Sequence, residues 1–230
     1  MAVGTSDHKV QIWDVEKLKQ VRTMDGHRAR VSSLSWNGPL LSSGGRDSLI
    51  VNHDVREQRH RVGTLRGHTQ EVCGLRWSPS GTQLASGGND NLLNIWDDRY
   101  LQAANMVCDT PVHRLDAHQA AVKALAWCPW QKNLLASGGG TADRMIRFWN
   151  SNSGSCLNEV DTHSQVRGLG DGSARERGLM NSAEGMRVSV GPLRRVHAGT
   201  APHRPPRPTR LDEASTCVHV HVHVHLCACA

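Results

Sequence analysis

The sequence predicts an all-β chain assembled from copies of one four-stranded unit, on three observations. A Gly-His pair or its variant recurs at Gly26-His27, Gly67-His68 and Ala117-His118. An Asp stands six residues before a Trp-Asp pair or its variant in four places: Asp7 before Trp13-Asp14, Asp47 before His53-Asp54, Asp90 before Trp96-Asp97 and Asp143 before Trp149-Asn150. Between these landmarks the residues alternate with period two or form short apolar runs that end in turn signals.

Each unit reads in the same order. The first strand is Val31 to Trp36, Val72 to Trp77 or Val122 to Trp127, closed by Asn37-Gly38-Pro39, Ser78-Pro79-Ser80-Gly81 or Cys128-Pro129. The second is Leu40 to Gly45, Leu84 to Gly88 or Leu134 to Gly138, apolar and then Ser-Gly, the form of a strand entering a tight turn. The third carries the Trp, replaced once by His53, and a weaker fourth follows at Lys19 to Met24, Arg61 to Leu65 and Val112 to Leu115. Four short strands in about 40–45 residues, Gly-His early and Trp-Asp late, make the WD40 β-propeller signature. The expected fold is therefore a WD40 β-propeller fragment of three full blades plus partial ones over residues 1–166. Residues 167–230 are expected to be a disordered, low-complexity tail.

Within a unit the recurrent polar residues are placed to meet. His68, Ser86, Asp90 and Trp96 form one such set; His27, Ser43 and Asp47 form another; His118, Ser137, Asp143 and Trp149 form a third. A buried polar network is stable only when every member is satisfied. Asp90 can accept from His68, His68 can exchange a hydrogen bond with Ser86, and the donor-only indole of Trp96 needs an acceptor. Ser, His and Asp are also the members of a hydrolase triad. A catalytic triad occurs once in a domain, whereas this trio returns in every unit, so the residues read as structural. With no Gly-rich phosphate loop and no paired-carboxylate site at a meaningful spacing, no enzyme, catalytic residue or cofactor is expected.

Composition narrows the classes further. All seven Trp lie between Trp13 and Trp149, which puts the end of the folded part after Trp149. Of the formal net charge of +6, the larger part comes from residues 167–230, with nine Arg against five acids. The excess charge and the aromatic residues are thus in different places, which argues against nucleic-acid binding. The odd number of Cys, seven, and the lack of short paired spacings among Cys73, Cys108, Cys128 and Cys156 argue against a disulfide framework or zinc site and fit a reducing compartment. No signal-peptide pattern opens the sequence and no run approaches the ~20 apolar residues of a membrane span. A soluble protein of the nucleus and cytoplasm is expected.

Several runs carry a sharper resemblance. Gln70 to Trp77, Ala85 to Asn91, Ala121 to Trp127, Ala136 to Arg144 and Asp161 to Val166 closely resemble the Fizzy family, the activator and substrate-recognition subunits of the anaphase-promoting complex, a ubiquitin ligase. Asn52 to Arg56 looks more like Fizzy itself than like the Fizzy-related branch. The resemblance covers residues 1–166. It implies a seven-bladed propeller that binds degradation motifs, with degron-containing proteins and the anaphase-promoting complex as partners. It further implies that Asn89, Asn91, Thr141 and Gln165 contact a Lys-Glu-Asn motif on the top face. Amides and hydroxyls on exposed turns suit that task, because they can fix an extended peptide by direct hydrogen bonds. Taken without the resemblance, Asn89 and Asn91 read as ordinary turn formers.

Against the family pattern the sequence reads as truncated at both ends. The first blade, part of the second, the last two blades and both docking segments have no counterpart. An open arc of blades is expected to be marginally stable or aggregation-prone alone, because each repeat buries its faces only against neighbours. Residues 192–208 hold five of the nine Pro, and Val218 to His225 is a strict Val-His alternation, the product expected of a translated nucleotide repeat. As a strand, that segment places His219, His221, His223 and His225 on one face near Cys227 and Cys229, where zinc or copper could bind adventitiously, though no metal site held by surrounding fold is expected. The leading functional expectation is a non-catalytic, degron-recognising adaptor. The alternatives are a generic WD40 interaction scaffold and a non-functional truncated gene product.

Overall fold

In the computed structural model of the chain, residues 1–100, 106–170, 187–190 and 219–221 are described. The strands are β1 (Ala2–Gly4), β2 (Val10–Asp14), β3 (Lys19–Met24), β4 (Val31–Asn37), β5 (Leu40–Gly45), β6 (Leu49–Asp54), β7 (Arg61–Arg66), β8 (Val72–Trp77), β9 (Gln83–Gly88), β10 (Leu93–Asp97), β11 (Met106–Cys108), β12 (His113–Leu115), β13 (Val122–Trp127), β14 (Leu134–Gly139), β15 (Met145–Asn150), β16 (Ser155–Asp161), β17 (Val166–Gly170), β18 (Arg187–Val190) and β19 (His219–His221). Among the described residues a single 3-10 turn, Asp98–Tyr100, interrupts them. They form five sheets of order β1-β2-β3, β11-β7-β6-β5-β4, β12-β10-β9-β8, β13-β14-β15-β16 and β17-β18-β19. The chain is thus an all-β partial WD40 propeller, with three complete blades between two three-stranded sheets.

Side-chain size explains how the blades stack. One hydrophobic cluster lies between each pair of neighbouring sheets. Val10 and Met24 of the first sheet meet Val31 and Leu41 of the second. Ile50 and Leu65 meet Val72, Leu75, Trp77 and Leu84 of the third, and Leu93 and Ile95 of the third meet Val122, Leu125 and Leu135 of the fourth. Ala124, Ala126 and Ala136 meet Val166 and Leu169 of the fifth. Glycines let the sheets approach. A Cβ on Gly74 would lie 2.8 Å from the Lys123 carbonyl oxygen, and one on Gly87 would collide with the Val122 carbonyl. The strand-ending Ser-Gly-Gly pattern is therefore a packing requirement as well as a turn signal.

Two features differ from the sequence expectation or lie beyond it. β11 pairs in parallel with β7, Met106 opposite Gly63 and Cys108 opposite Leu65, so the second sheet gains a fifth strand from the connection between β10 and β12. Nothing in that segment alternates with period two, and the pairing is decided by the open edge of β7. The last sheet joins β17 to Arg187–Val190 and His219–His221. The rest of residues 171–230, including His223, His225, Cys227 and Cys229, lies outside the described residues.

Candidate functional site

The His-Ser-Asp sets fold into one hydrogen-bonded chain per blade. In the third sheet the Trp96 indole N–H donates to Ser86 Oγ (2.9 Å), and Ser86 lies 2.8 Å from His68 Nε2. The indole has no other role than donor, so the Ser86 hydroxyl donates to His68 Nε2 and His68 Nδ1–H donates to Asp90 Oδ1 at 3.0 Å. Burial pushes the Asp90 carboxyl up, but the hydrogen bonds from His68 and the Thr69 N–H outweigh it and hold the group below its usual value. The fourth sheet repeats the chain: Trp149 Nε1 to Ser137 Oγ at 2.7 Å, Ser137 to His118 Nε2 at 2.6 Å, and His118 Nδ1 to Asp143 at 2.6 Å. There Arg147 Nη1 adds a hydrogen bond to Asp143 Oδ1 at 3.0 Å. Ser43, Ser86 and Ser137 are all fully buried, so no substrate carbonyl can reach their hydroxyls.

The second sheet closes the same circuit differently. Ser43 Oγ lies 2.8 Å from His27 Nε2 and 3.0 Å from His53 Nε2, while His27 Nδ1 lies 3.0 Å from Asp47 Oδ1. His53 occupies the Trp position, and its Nδ1 lies 2.9 Å from His60 Nδ1. One proton arrangement satisfies every member with neutral rings. His60 Nδ1–H donates to His53, His53 Nε2–H to Ser43, the Ser43 hydroxyl to His27, and His27 Nδ1–H to Asp47. Burial, helped by His60, His27, Arg61 and Arg22, lowers the His53 pKa to about 3. The sequence signal for this variant was the missing Trp at position 53. Beside the set opens a cleft of about 300 Å³ lined by Gly26, Arg28, Asp47, Leu49, Arg61 and Arg66.

The four residues of the expected peptide site sit elsewhere, at one end of three adjacent sheets. Asn89 and Asn91 are in the β9–β10 turn, Asn89 exposed and Asn91 half-buried with φ of 66°. Thr141 is exposed in the β14–β15 turn, and Gln165, half-buried, directly precedes β17. The β9–β10 turn lies at the end where β8 begins, since Val72 pairs with Gly88. The β14–β15 turn likewise lies where β13 begins, since Val122 pairs with Gly139. The starts of β8 and β13 touch, with Cys73 Sγ 3.3 Å from the Val122 carbonyl. Thr162 joins the next unit by donating its N–H and hydroxyl to the Arg144 carbonyl at 3.0 and 2.8 Å. The fold therefore places all four residues at the same end of their sheets, although they are up to 76 residues apart in the chain.

The sequence reading missed the bonds that cross between blades. Arg30 Nε and Nη2 donate to Glu71 Oε1 and Oε2 at 2.9 and 2.7 Å. Trp77 Nε1 donates to Ser42 Oγ at 3.0 Å, and Trp127 Nε1 to the Arg76 carbonyl at 2.9 Å. One signal was available. Arg30 and Glu71 each stand three residues after the unit's His, so opposite charges occupy the same repeat position in consecutive units. Among the described residues no group of three or more His, Cys, Asp or Glu could hold a metal ion, and no helix is long and apolar enough to cross a membrane.

The model of the CDC20/Fizzy WD40 domain matches residues 1–182. The chain belongs to the CDC20/Fizzy family. This CDC20/Fizzy chain is 59% identical over 166 residues to the anaphase-promoting complex subunit cdc20 of Dictyostelium discoideum, covering 72% of the chain and 32% of that relative. It is 55% identical over 183 residues to cell division cycle 20.1, cofactor of APC complex, of Arabidopsis thaliana, covering 79% and 39%. To the protein FIZZY-RELATED 1 of Arabidopsis thaliana it is 53% identical over 169 residues, covering 74% and 34%. A chain in the crystal structure of a mitotic checkpoint complex superimposes with a TM-score of 0.73 at 47% identity, covering 83% of this chain and 53% of the other. The CDC20/Fizzy chain thus spans about a third of the length of these curated relatives.

Proposed function

We propose that this CDC20/Fizzy chain is a non-catalytic adaptor of the anaphase-promoting complex, acting in the nucleus and cytoplasm to select degron-bearing proteins for ubiquitin-dependent proteolysis. The observation that carries this reading is the rim. Asn89, Asn91, Thr141 and Gln165 come from three consecutive sheets and stand together at one end of them, inside the region that matches the family. Amide and hydroxyl groups on turns held by buried networks can hydrogen-bond the backbone and side chains of an extended peptide without reorganising. The relatives' roles as subunit or cofactor of the anaphase-promoting complex support the choice of partner.

The test is fluorescence anisotropy of a labelled peptide containing Lys-Glu-Asn, titrated with the full chain beside a peptide with those three residues changed to Ala. Selective, saturable binding that is lost in the Asn89→Ala/Asn91→Ala variant is expected. Equal behaviour of the two peptides, with Trp fluorescence showing the chain folded, overturns the reading.

A further inference from the structure

The Asn89–Asn91 turn is fastened at two points to the segment that leads into β8 of its own blade, and the preceding blade braces one of them. At the first, Asp90 accepts from His68, from the Thr69 N–H at 2.8 Å and from the Leu92 N–H at 3.3 Å. At the second, the Asn89 N–H donates to the Glu71 carbonyl at 2.9 Å. Glu71 stands directly before β8 and is 8% exposed. Its carboxylate receives both arms of the Arg30 guanidinium from the β3–β4 connection of the preceding unit. Ser32 and Ser33, also of that unit, donate to the carbonyl of the next residue, Val72, at 2.9 and 2.8 Å. A bidentate guanidinium–carboxylate pair fixes direction as well as distance. The Glu71 backbone is therefore aimed by the neighbouring blade, and the Asn89 amide hangs from it.

We infer that Arg30 and Glu71 are positioning residues, a clamp between two blades that presets the Asn89–Asn91 turn for its ligand; this inference rests on the degron reading above. The clamp touches no ligand itself. A rim held in one conformation loses less entropy when a peptide docks. The fourth sheet has Ala121 at the position of Glu71 and ties its Thr141 turn through Thr162 and the Arg144 carbonyl instead. In the second sheet the Arg46 N–H donates to the Arg30 carbonyl at 2.9 Å, so the ion pair joins the carriers of two turns, and of these the Asn89–Asn91 turn holds the residues expected to meet a peptide.

The experiment compares the full chain with Glu71→Gln, Arg30→Lys and the charge-reversed Arg30→Glu/Glu71→Arg by two readouts. These are anisotropy with the Lys-Glu-Asn peptide and amide hydrogen exchange resolved at Asn89. Glu71→Gln is expected to weaken the peptide about fivefold or more and to speed exchange at Asn89, with exchange in β14 unchanged. Arg30→Lys, which keeps the charge but loses the fork, is expected to fall between it and the unchanged chain, and the reversed pair to recover part of both losses. Unchanged affinity and exchange in Glu71→Gln and Arg30→Lys overturn the clamp. If the unchanged chain does not distinguish the Lys-Glu-Asn peptide from its Ala counterpart, the degron reading fails, and exchange at Asn89 alone decides the clamp. Faster exchange in both variants then upholds it, and equal exchange overturns it.

Discussion

His53 shows how one position can change the chemistry of a blade without changing its fold. In the third and fourth sheets a Trp indole holds the central Ser, through bonds of 2.9 and 2.7 Å, and cannot titrate. In the second, a fully buried imidazole does the same work, and its burial favours the neutral form. Its folded-state pKa of about 3 lies below the ordinary 6.5. The unfolded chain therefore binds the proton more readily, and the contribution of His53 to stability is complete above pH 6.5 and falls as pH drops from 6.5 toward 3. Thermal unfolding at pH 7.5 and pH 5 is expected to show roughly 1–2 kcal/mol more loss in the unchanged chain than in His53→Trp. An equal acid loss in both contradicts this account. Asp47, Asp90 and Asp143, held below the usual carboxylate value of 3.8, lose their contribution as pH falls below that value, outside the pH 5 to 7.5 comparison.

Strands in this molecule are limited by how closely their neighbours approach. Gly87, one residue before the end of β9, lies against the next sheet, where an added Cβ meets the Val122 carbonyl, a backbone group that cannot swing aside. Gly38, in the β4–β5 turn, has φ of 56° and nothing within 4 Å of a built Cβ. Gly87→Ala is expected to cost about 3 kcal/mol, the upper end of overpacking. Gly38→Ala should cost only the left-handed backbone penalty of about 1 kcal/mol. Chemical denaturation followed by Trp fluorescence measures both, and a reversed order contradicts the packing argument. The same scale explains what a single repeat unit leaves undetermined. The four antiparallel strands of each blade are legible because polarity alternates along the chain. The parallel pairing of β11 is not, because its partner β7 lies some 40 residues earlier and supplies only an open backbone edge.

Across the whole molecule, each sheet is stabilised by its neighbours, since the four hydrophobic clusters all lie between adjacent sheets. Stability in such an array is close to a sum of unit and nearest-neighbour contributions. The inner sheets have a described neighbour on both faces, and β9 and β14 are almost entirely buried, whereas β3 is mostly exposed. Amide exchange is therefore expected to be slowest in β9 and β14 and fastest in β1 and β3, and uniform protection across the sheets would contradict this. The sequence by itself determined the repeat, the strand order within a blade and the members of each His-Ser-Asp set. Those depend on local periodicity and on residue types that recur at fixed spacing. The rim of Asn89, Asn91, Thr141 and Gln165 could be named from resemblance, but its convergence follows only from the stacking of the blades. The Arg30–Glu71 pair, the His53–His60 contact and the β11 edge were likewise decided by tertiary structure. Each joins groups whose meeting depends on the packed path of the backbone, and no periodicity along the chain records that path.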